Sequence, residues 1–367
     1  MNKLWEFDNA TQQALIELSL KKHGLLIGKM SSPHSSIFTF DNGASSQPRY
    51  VVAKALQVSA EMGMEDKRKF FARVLYEVNN AYAVCHHPSI QRFSDIQVIY
   101  GVPFLLAAKR DATLRDIIAE EPLTESEALS IAIQLVHALA YCTMKGIVCH
   151  QDLKPENIFI DSFRNHFSVP DDYPLRFRVY VADFELSNAY MVLRRPYGSR
   201  PYMAPEQYEK LFDTSLPDFS RTDVFAIGVM LFEMLTGGIH PIGEQTSLIW
   251  PSVAEGKSRM WLREDKWKRW AKKGLPALPV DCRISPEMRL IIEGCLKTDF
   301  SERLSKEGLE VHLLERLRLI DRNAFDTLLV TQAYFDQVSN ESEKSGWPYY
   351  DDLIEKLNAA FSDSTSL

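Results

Sequence analysis

The chain has 367 residues, enough for one large domain of two lobes or for two ordinary domains. It is 46% hydrophobic and 25% charged, the balance of a soluble globular protein, and a net charge of −7 argues against wholesale nucleic-acid or membrane binding. Cys85, Cys142, Cys149, Cys282 and Cys295 are scattered, with no C-x-x-C spacing, which points to free thiols in a reducing cytoplasm and away from a disulfide frame or a zinc site.

Residues 10–22 read as a short helix closed by Gly24. Strand-like runs follow at 25–28, 37–40 and 50–55. The first two are separated by a turn-rich segment, Lys29-Met30-Ser31-Ser32-Pro33-His34-Ser35-Ser36. Residues 61–84 have the pattern of an amphipathic helix holding Phe70, Val74, Tyr76 and Glu77. Residues 96–100 and 104–107 look like a hairpin. A strong helix is expected over 124–144, with Leu129, Ile133, Val136 and Ala140 at helical spacing, ending at Gly146.

The densest chemistry comes next, in Val148-Cys149-His150-Gln151-Asp152-Leu153-Lys154-Pro155-Glu156-Asn157. Asp152 can accept a hydroxyl proton, Lys154 can offset phosphate charge, and Asn157 can ligate a hard metal through its amide oxygen. Phosphoryl transfer needs these parts, because its catalysis is mostly positioning and charge stabilisation. A polar, proline-bearing connection at 161–174 reads as a surface insertion. An alternating strand at 176–181 then leads into Ala182-Asp183-Phe184-Glu185. Further on stand Gly198-Ser199-Arg200-Pro201-Tyr202-Met203-Ala204-Pro205-Glu206, then Asp223-Val224-Phe225-Ala226-Ile227-Gly228-Val229, then Cys295-Leu296-Lys297-Thr298-Asp299-Phe300-Ser301-Glu302-Arg303-Leu304.

In this order these segments resemble the eukaryotic-type (Hanks-type) serine/threonine protein kinase family, of which the chain is identified as a divergent member. The likeness runs from about residue 25 to 317. It implies an α+β fold of two lobes: a sheet-rich N-lobe at 25–107 and a mostly helical C-lobe at 108–320. Helical extensions are expected at 1–24 and 321–367. It implies a transfer of the ATP γ-phosphoryl group, with ATP and Mg2+ as cofactors and a protein as substrate. By the resemblance Asp152 and Lys154 are catalytic, and Asn157 and Asp183 hold the metal. Lys54, in Val51-Val52-Ala53-Lys54, positions phosphates and is paired with Glu77. Gly28 is what remains of the glycine-rich nucleotide loop. Leu106 closes the back of the adenine pocket, and Ala107, Ala108 and Lys109 form the hinge. Arg303 is expected to pair with Glu206. Lys154 within Asp-Leu-Lys-Pro-Glu-Asn favours serine or threonine over tyrosine.

Three departures from the family pattern carry expectations of their own. The nucleotide loop is poor in glycine, and Glu185 replaces the glycine of D-F-G; together these favour the alternative of a pseudokinase, an ATP-binding or scaffolding module. Gln151 replaces the arginine that in many members contacts a phosphorylated activation segment, so activity independent of such phosphorylation is expected. A small-molecule kinase on a related fold is disfavoured by the activation segment ending in Ala204-Pro205-Glu206.

Residues 250–273 hold Trp250, Trp261, Trp267 and Trp270 among lysines and arginines. They read either as a helix that packs its aromatics and solvates its basic face, or as a docking patch for an acidic partner. Residues 305–367 look helical, with Leu309, Leu313, Leu314, Leu317 and Ile320 on one side. The apolar stretch at 224–235, broken by Glu233, is too short to span a bilayer, and the N-terminus does not read as a secretory signal. No membrane or nucleic-acid partner and a cytoplasmic location are therefore expected.

Overall fold

A computed structural model describes residues 3–31, 35–56, 62–165, 169–170, 172–193, 197–208, 219–251, 260–273, 278–279, 283–345, 352, 354–355 and 357–359. After a first helix, α1 (Asn9–Ser19), come three strands: β1 (Leu25–Ser31), β2 (Ser35–Asp41) and β3 (Tyr50–Leu56). The long helix α2 (Met64–Val84) follows, then β4 (Asp95–Ile99) and β5 (Val102–Ala108). These five strands form one antiparallel sheet in the order β1-β2-β3-β5-β4. The β4–β5 turn places Tyr100 and Gly101 at φ +45° and +78°, the left-handed pair that suits a two-residue hairpin. The turn-rich reading of 29–36 is corrected: β1 runs to Ser31 and β2 starts at Ser35, leaving residues 32–34 outside the described ones.

One face of the sheet meets the N-terminal segment. Leu4, Ile16 and Leu20 pack there with Phe38, Phe40, Val51, Ala53, Phe104 and Leu106. The other face meets α2, where Val74 and Val78 pack with Ile96 and Leu105. Successive strand side chains point to opposite faces. Leu106 lies opposite Ala53, whereas Leu105 lies opposite Lys54. The expectation that Leu106 closes the adenine pocket is thus corrected by one residue: Leu105 occupies the face that Lys54 shares.

The second lobe starts with β6 (Ala112–Thr113), α3 (Leu114–Glu120) and α4 (Glu125–Met144). Thr113 and Thr124 each cap their helix in a reciprocal box, with Asp116 and Glu127. β7 (Ile158–Ser162) and β8 (Phe177–Val181) join β6 in a three-stranded sheet. Between them Phe163 and Tyr173 meet ring to ring at 5.0 Å and pack on the lobe core, so part of the expected surface insertion is anchored. Then come α5 (Ala189–Leu193) and α6 (Thr222–Thr236), the latter buried along its length. A Cβ on Gly228 would come 2.6 Å from that of Cys295, so glycine is what allows α6 and α9 (Pro286–Cys295) to touch. Before α9 stand the short β9 (Ile239–His240) and β10 (Glu244–Gln245), α7 (Thr246–Ile249) and α8 (Glu264–Lys273). The lobe ends with α10 (Lys306–Ile320) and α11 (Arg322–Ser345). The α+β, two-lobed architecture is therefore the one observed. Among the described residues α4 is the one helix long and apolar enough to cross a membrane, and it is mostly buried inside the lobe.

In α8 the expected packing of an aromatic is seen at Trp267. Trp267 is 1% exposed and lies against Phe225, Tyr208 and His240. Arg263 and Lys266 pair with Glu244, Lys268 with Glu264, and Arg269 with Asp265. The Trp270 side chain lies outside the described residues.

Candidate active site

The cleft between the lobes collects the expected residues. The bend that enters it, Gln151, has φ +67°, a strained conformation for a residue with a side chain. The loop has few backbone partners, and side chains from elsewhere supply them. Asp223, at the start of α6, accepts the N–H groups of His150 at 2.8 Å and Gln151 at 3.1 Å. Asn188 accepts from the Cys149 N–H at 3.2 Å and donates to the Gly146 carbonyl at 2.7 Å. From below, the buried Lys306 donates to the Val148 carbonyl at 2.7 Å and to Thr143 at 2.8 Å.

This frame presents three side chains together. Asp152 Oδ2 accepts from Lys154 Nζ at 2.6 Å, and its Oδ1 accepts the Ser199 N–H at 2.7 Å. Lys154 also donates to the Ser199 hydroxyl at 3.1 Å. Asn157 spends its amide N–H on the Asp152 carbonyl at 2.8 Å, which leaves its amide oxygen as the metal-facing candidate. Burial works against the Lys154 charge, but Asp152 outweighs it and raises the Lys154 pKa above the ordinary value.

The opposite wall comes from β3 and α2. Lys54 Nζ donates to Glu77 Oε1 at 2.8 Å and stands 3.7 Å from Asp183 Oδ1. Burial opposes the Lys54 charge, and the carboxylates of Glu77, Asp183 and Glu185 overcome it, so its pKa is raised. Glu77 is 2% exposed, and burial pushes its carboxyl up against the pull of Lys54. For Asp183, burial is outweighed by Lys54 and Lys154, which hold it below the usual carboxylate range. Asp183 takes φ +67°, while Phe184 inserts beside His150 with ring centroids 5.0 Å apart. Among the described residues Asp183 Oδ1 is buried with no hydrogen-bond partner, Lys54 standing 3.7 Å away, and a carboxylate oxygen of this kind fits a hard divalent cation.

The remaining site expectations, Gly28, Ala107 and Lys109, are not drawn into this cluster of side chains. Gly28 lies in β1 next to a register shift, where an added Cβ would meet only Thr39 at 3.8 Å, so space does not require glycine there. Ala107 lies opposite Val52, on Lys54's side of β5. The Lys109 N–H donates to the Tyr50 carbonyl at 2.9 Å, so that hinge donor is already engaged. The expected Arg303–Glu206 pair forms with two bonds, 2.7 and 3.0 Å, deep in the second lobe.

Sequence reasoning missed several residues that shape the cleft. Gln207 donates to the carbonyls of Gln151 at 3.0 Å and Tyr197 at 2.9 Å. On α2, Tyr76 donates to the Ser187 carbonyl at 2.8 Å, and Asn80 to that of Phe184 at 3.0 Å. A lone acid heading an apolar helix was a readable signal for Asp223, since a buried charge is costly unless used. Gln207, Asn188 and Lys306 offered none.

Comparison with known proteins points to a family. The model of the protein kinase domain matches residues 42–314. Sperm motility kinase Z of Mus musculus is 26% identical over 69% of this chain and 44% of its own length. Serine/threonine-protein kinase PrkC of Bacillus subtilis is 25% identical over 89% of this chain and 46% of its own. The phosphorylase b kinase gamma catalytic chain, liver/testis isoform, of Mus musculus is 28% identical over 68% of this chain and 59% of its own. The chain thus spans roughly half the length of these relatives.

Proposed function

The chain belongs to the protein kinase domain family, and on that premise we propose that it transfers the γ-phosphoryl group of ATP to serine or threonine hydroxyls of a protein substrate. The observation that carries this reading is the assembled cleft: Lys54 paired with Glu77 at 2.8 Å, and Asp152, Lys154 and Ser199 joined in one hydrogen-bonded cluster. Asp152 accepts the proton of the acceptor hydroxyl and orients its oxygen toward phosphorus. Lys154 offsets charge on the transferring group, and Lys54 anchors the α- and β-phosphates. Asn157 and Asp183 would hold Mg2+, which when bound neutralises phosphate charge. Lys154 within Asp-Leu-Lys-Pro-Glu-Asn supports serine or threonine as acceptor.

Activity without activation-segment phosphorylation is part of the proposal. Gln151 is 4% exposed, and its carboxamide accepts the Tyr190 N–H at 2.9 Å and donates to the Tyr197 carbonyl at 3.4 Å. A neutral side chain thereby holds the segment where other members use a phosphate–arginine pair. A Cβ at Gly198 would meet the Gln151 carbonyl at 2.6 Å, so the segment crosses the loop in contact. Ser187 and Tyr190 are buried, out of reach of a modifying enzyme.

The alternative is a pseudokinase that binds nucleotide or scaffolds, favoured by the engaged Lys109 N–H and the glycine-poor β1. Phosphosite mapping after incubation with Mg-ATP decides between the two, with Asp183→Ala as the paired control. Transfer by the wild type and none by the variant is expected; transfer at near wild-type level by Asp183→Ala refutes the kinase reading. Phosphatase-treated protein should show an immediate linear rate. A lag that ends as Tyr197 becomes modified would refute independence from phosphorylation.

A further inference from the structure

Glu185 stands where the family motif has glycine, and the proposed mechanism gives it no part. Its carboxylate accepts from Arg73 Nε at 2.5 Å and also pairs with Arg73 Nη2. Arg73 lies on α2 one turn before Glu77, on the same face. Two further residues of that face, Tyr76 and Asn80, reach the carbonyls of Ser187 and Phe184.

The surroundings make Glu185 a hazard as well as an anchor. One carboxylate oxygen from each of Glu77, Asp183 and Glu185 lies within 4.8 Å of the others. The Lys54 ammonium is held by Glu77 at 2.8 Å, stands 3.7 Å from Asp183 and feels the charge of Glu185. An acid at position 185 with no partner of its own would compete with Glu77 for that ammonium, and it would add like charge beside Asp183. A glycine brings neither problem.

We propose that Arg73 and Glu185 are paired positioning residues: the guanidinium holds Glu185 off Lys54 and ties the helix carrying Glu77 to the turn carrying Asp183. The catalytic consequence rests on the kinase reading; the latch itself rests on the geometry. The two residues then differ in what their loss does. Glu185→Gly removes the latch and the competing acid together. Arg73→Ala removes the latch and leaves the acid free, so it is the more damaging change. Removing both returns to the milder state.

The test compares wild type, Arg73→Ala, Glu185→Gly and the double variant by ATP kinetics and by amide exchange across residues 73–80 without nucleotide. Arg73→Ala is expected to raise KM for ATP about tenfold, with a smaller change in kcat, because Lys54 positions bound phosphates. Glu185→Gly and the double variant should both stay within about threefold of wild type. Exchange in α2 should follow the same order, fastest in Arg73→Ala and slower again in the double variant. The proposal is overturned if Arg73→Ala is no worse than Glu185→Gly, or if the double variant is as impaired as Arg73→Ala. Should the wild type transfer no phosphate, the kinase reading fails, and the latch is still decided by whether exchange in α2 is faster than wild type in all three variants.

Discussion

Lys306→Met isolates the support beneath the loop at 148–157. Lys306 is 4% exposed, at the start of α10. Its ammonium donates to the Val148 carbonyl and to Thr143, and lies 4.0 Å from Asp223 Oδ2. Asp223 is itself 2% exposed and holds the His150 and Gln151 amides. Two charge-assisted hydrogen bonds contribute about 1.5–3 kcal/mol each when removed singly, so ~3 kcal/mol is a floor for the loss. Leaving Asp223 buried without its counter-ion brings the figure toward the ~3–5 kcal/mol of a broken buried pair. That is a large part of the ~5–15 kcal/mol that holds a domain together. Urea unfolding followed by the buried Trp261 and Trp267 reports on the lobe concerned. The double variant with Asp223→Asn should lose less than the two single losses added, because it removes both charges. An unfolding free energy within ~0.5 kcal/mol of wild type would show that Lys306 does not support the loop, and strict additivity would show that it is not coupled to Asp223.

Two further outcomes follow from buried groups. His87 and His240 are pushed down, by burial first, to about 3 and about 4. Both stay neutral in the fold but protonate in the unfolded chain below about pH 6.5. The unfolded state then binds more protons, so stability is full above that pH and is lost as pH falls toward the folded values. Each contributes up to about 1.4 kcal/mol per pH unit in that window. His87→Phe should flatten stability against pH between about 6.5 and 4, and an unchanged slope would count against this assignment. Leu357, fully buried against Val74, Val78, Ile96 and Leu105, brings the C-terminal segment onto α2. Leu357→Ala should cost about 2–5 kcal/mol and speed amide exchange in α2; unchanged exchange there would mean that the segment does not brace the helix.

What the sequence revealed, and what it hid, divides by how local the chemistry is. Asp152, Lys154 and Asn157 sit within one short loop, so their spacing alone brought them near one another. Asp183 and Lys54 needed the order of motifs along the chain. The strand register was harder. Residues 102–108 form β5, buried along nearly all its length because α2 covers one face and the N-terminal segment the other. A strand apolar on both faces has no alternation from which to read direction, and a one-residue error exchanges its faces. That is why Leu106 and Leu105 could not be told apart. β1 fails for the opposite reason. It is exposed along most of its length, and its polar residues read as a loop until β2 supplies their pairing.

Glu185 shows how a departure from a motif gains meaning only in three dimensions. As a string, an acid in place of glycine next to the aspartate expected to hold metal reads as damage. In the fold, the same acid faces an arginine 112 positions away in sequence. Nothing local to either residue indicates the pairing, because Arg73 is an ordinary cation on an amphipathic helix until α2 docks. Gln151 behaves alike: it lacks the charge of the family's arginine, yet its amide makes neutral bonds to Tyr190 and Tyr197. At one place a charge pair has been added where the family has glycine, and at the other a neutral contact stands where the family has an arginine. The substitutions therefore argue for an altered means of holding the cleft together, and only weakly for its loss.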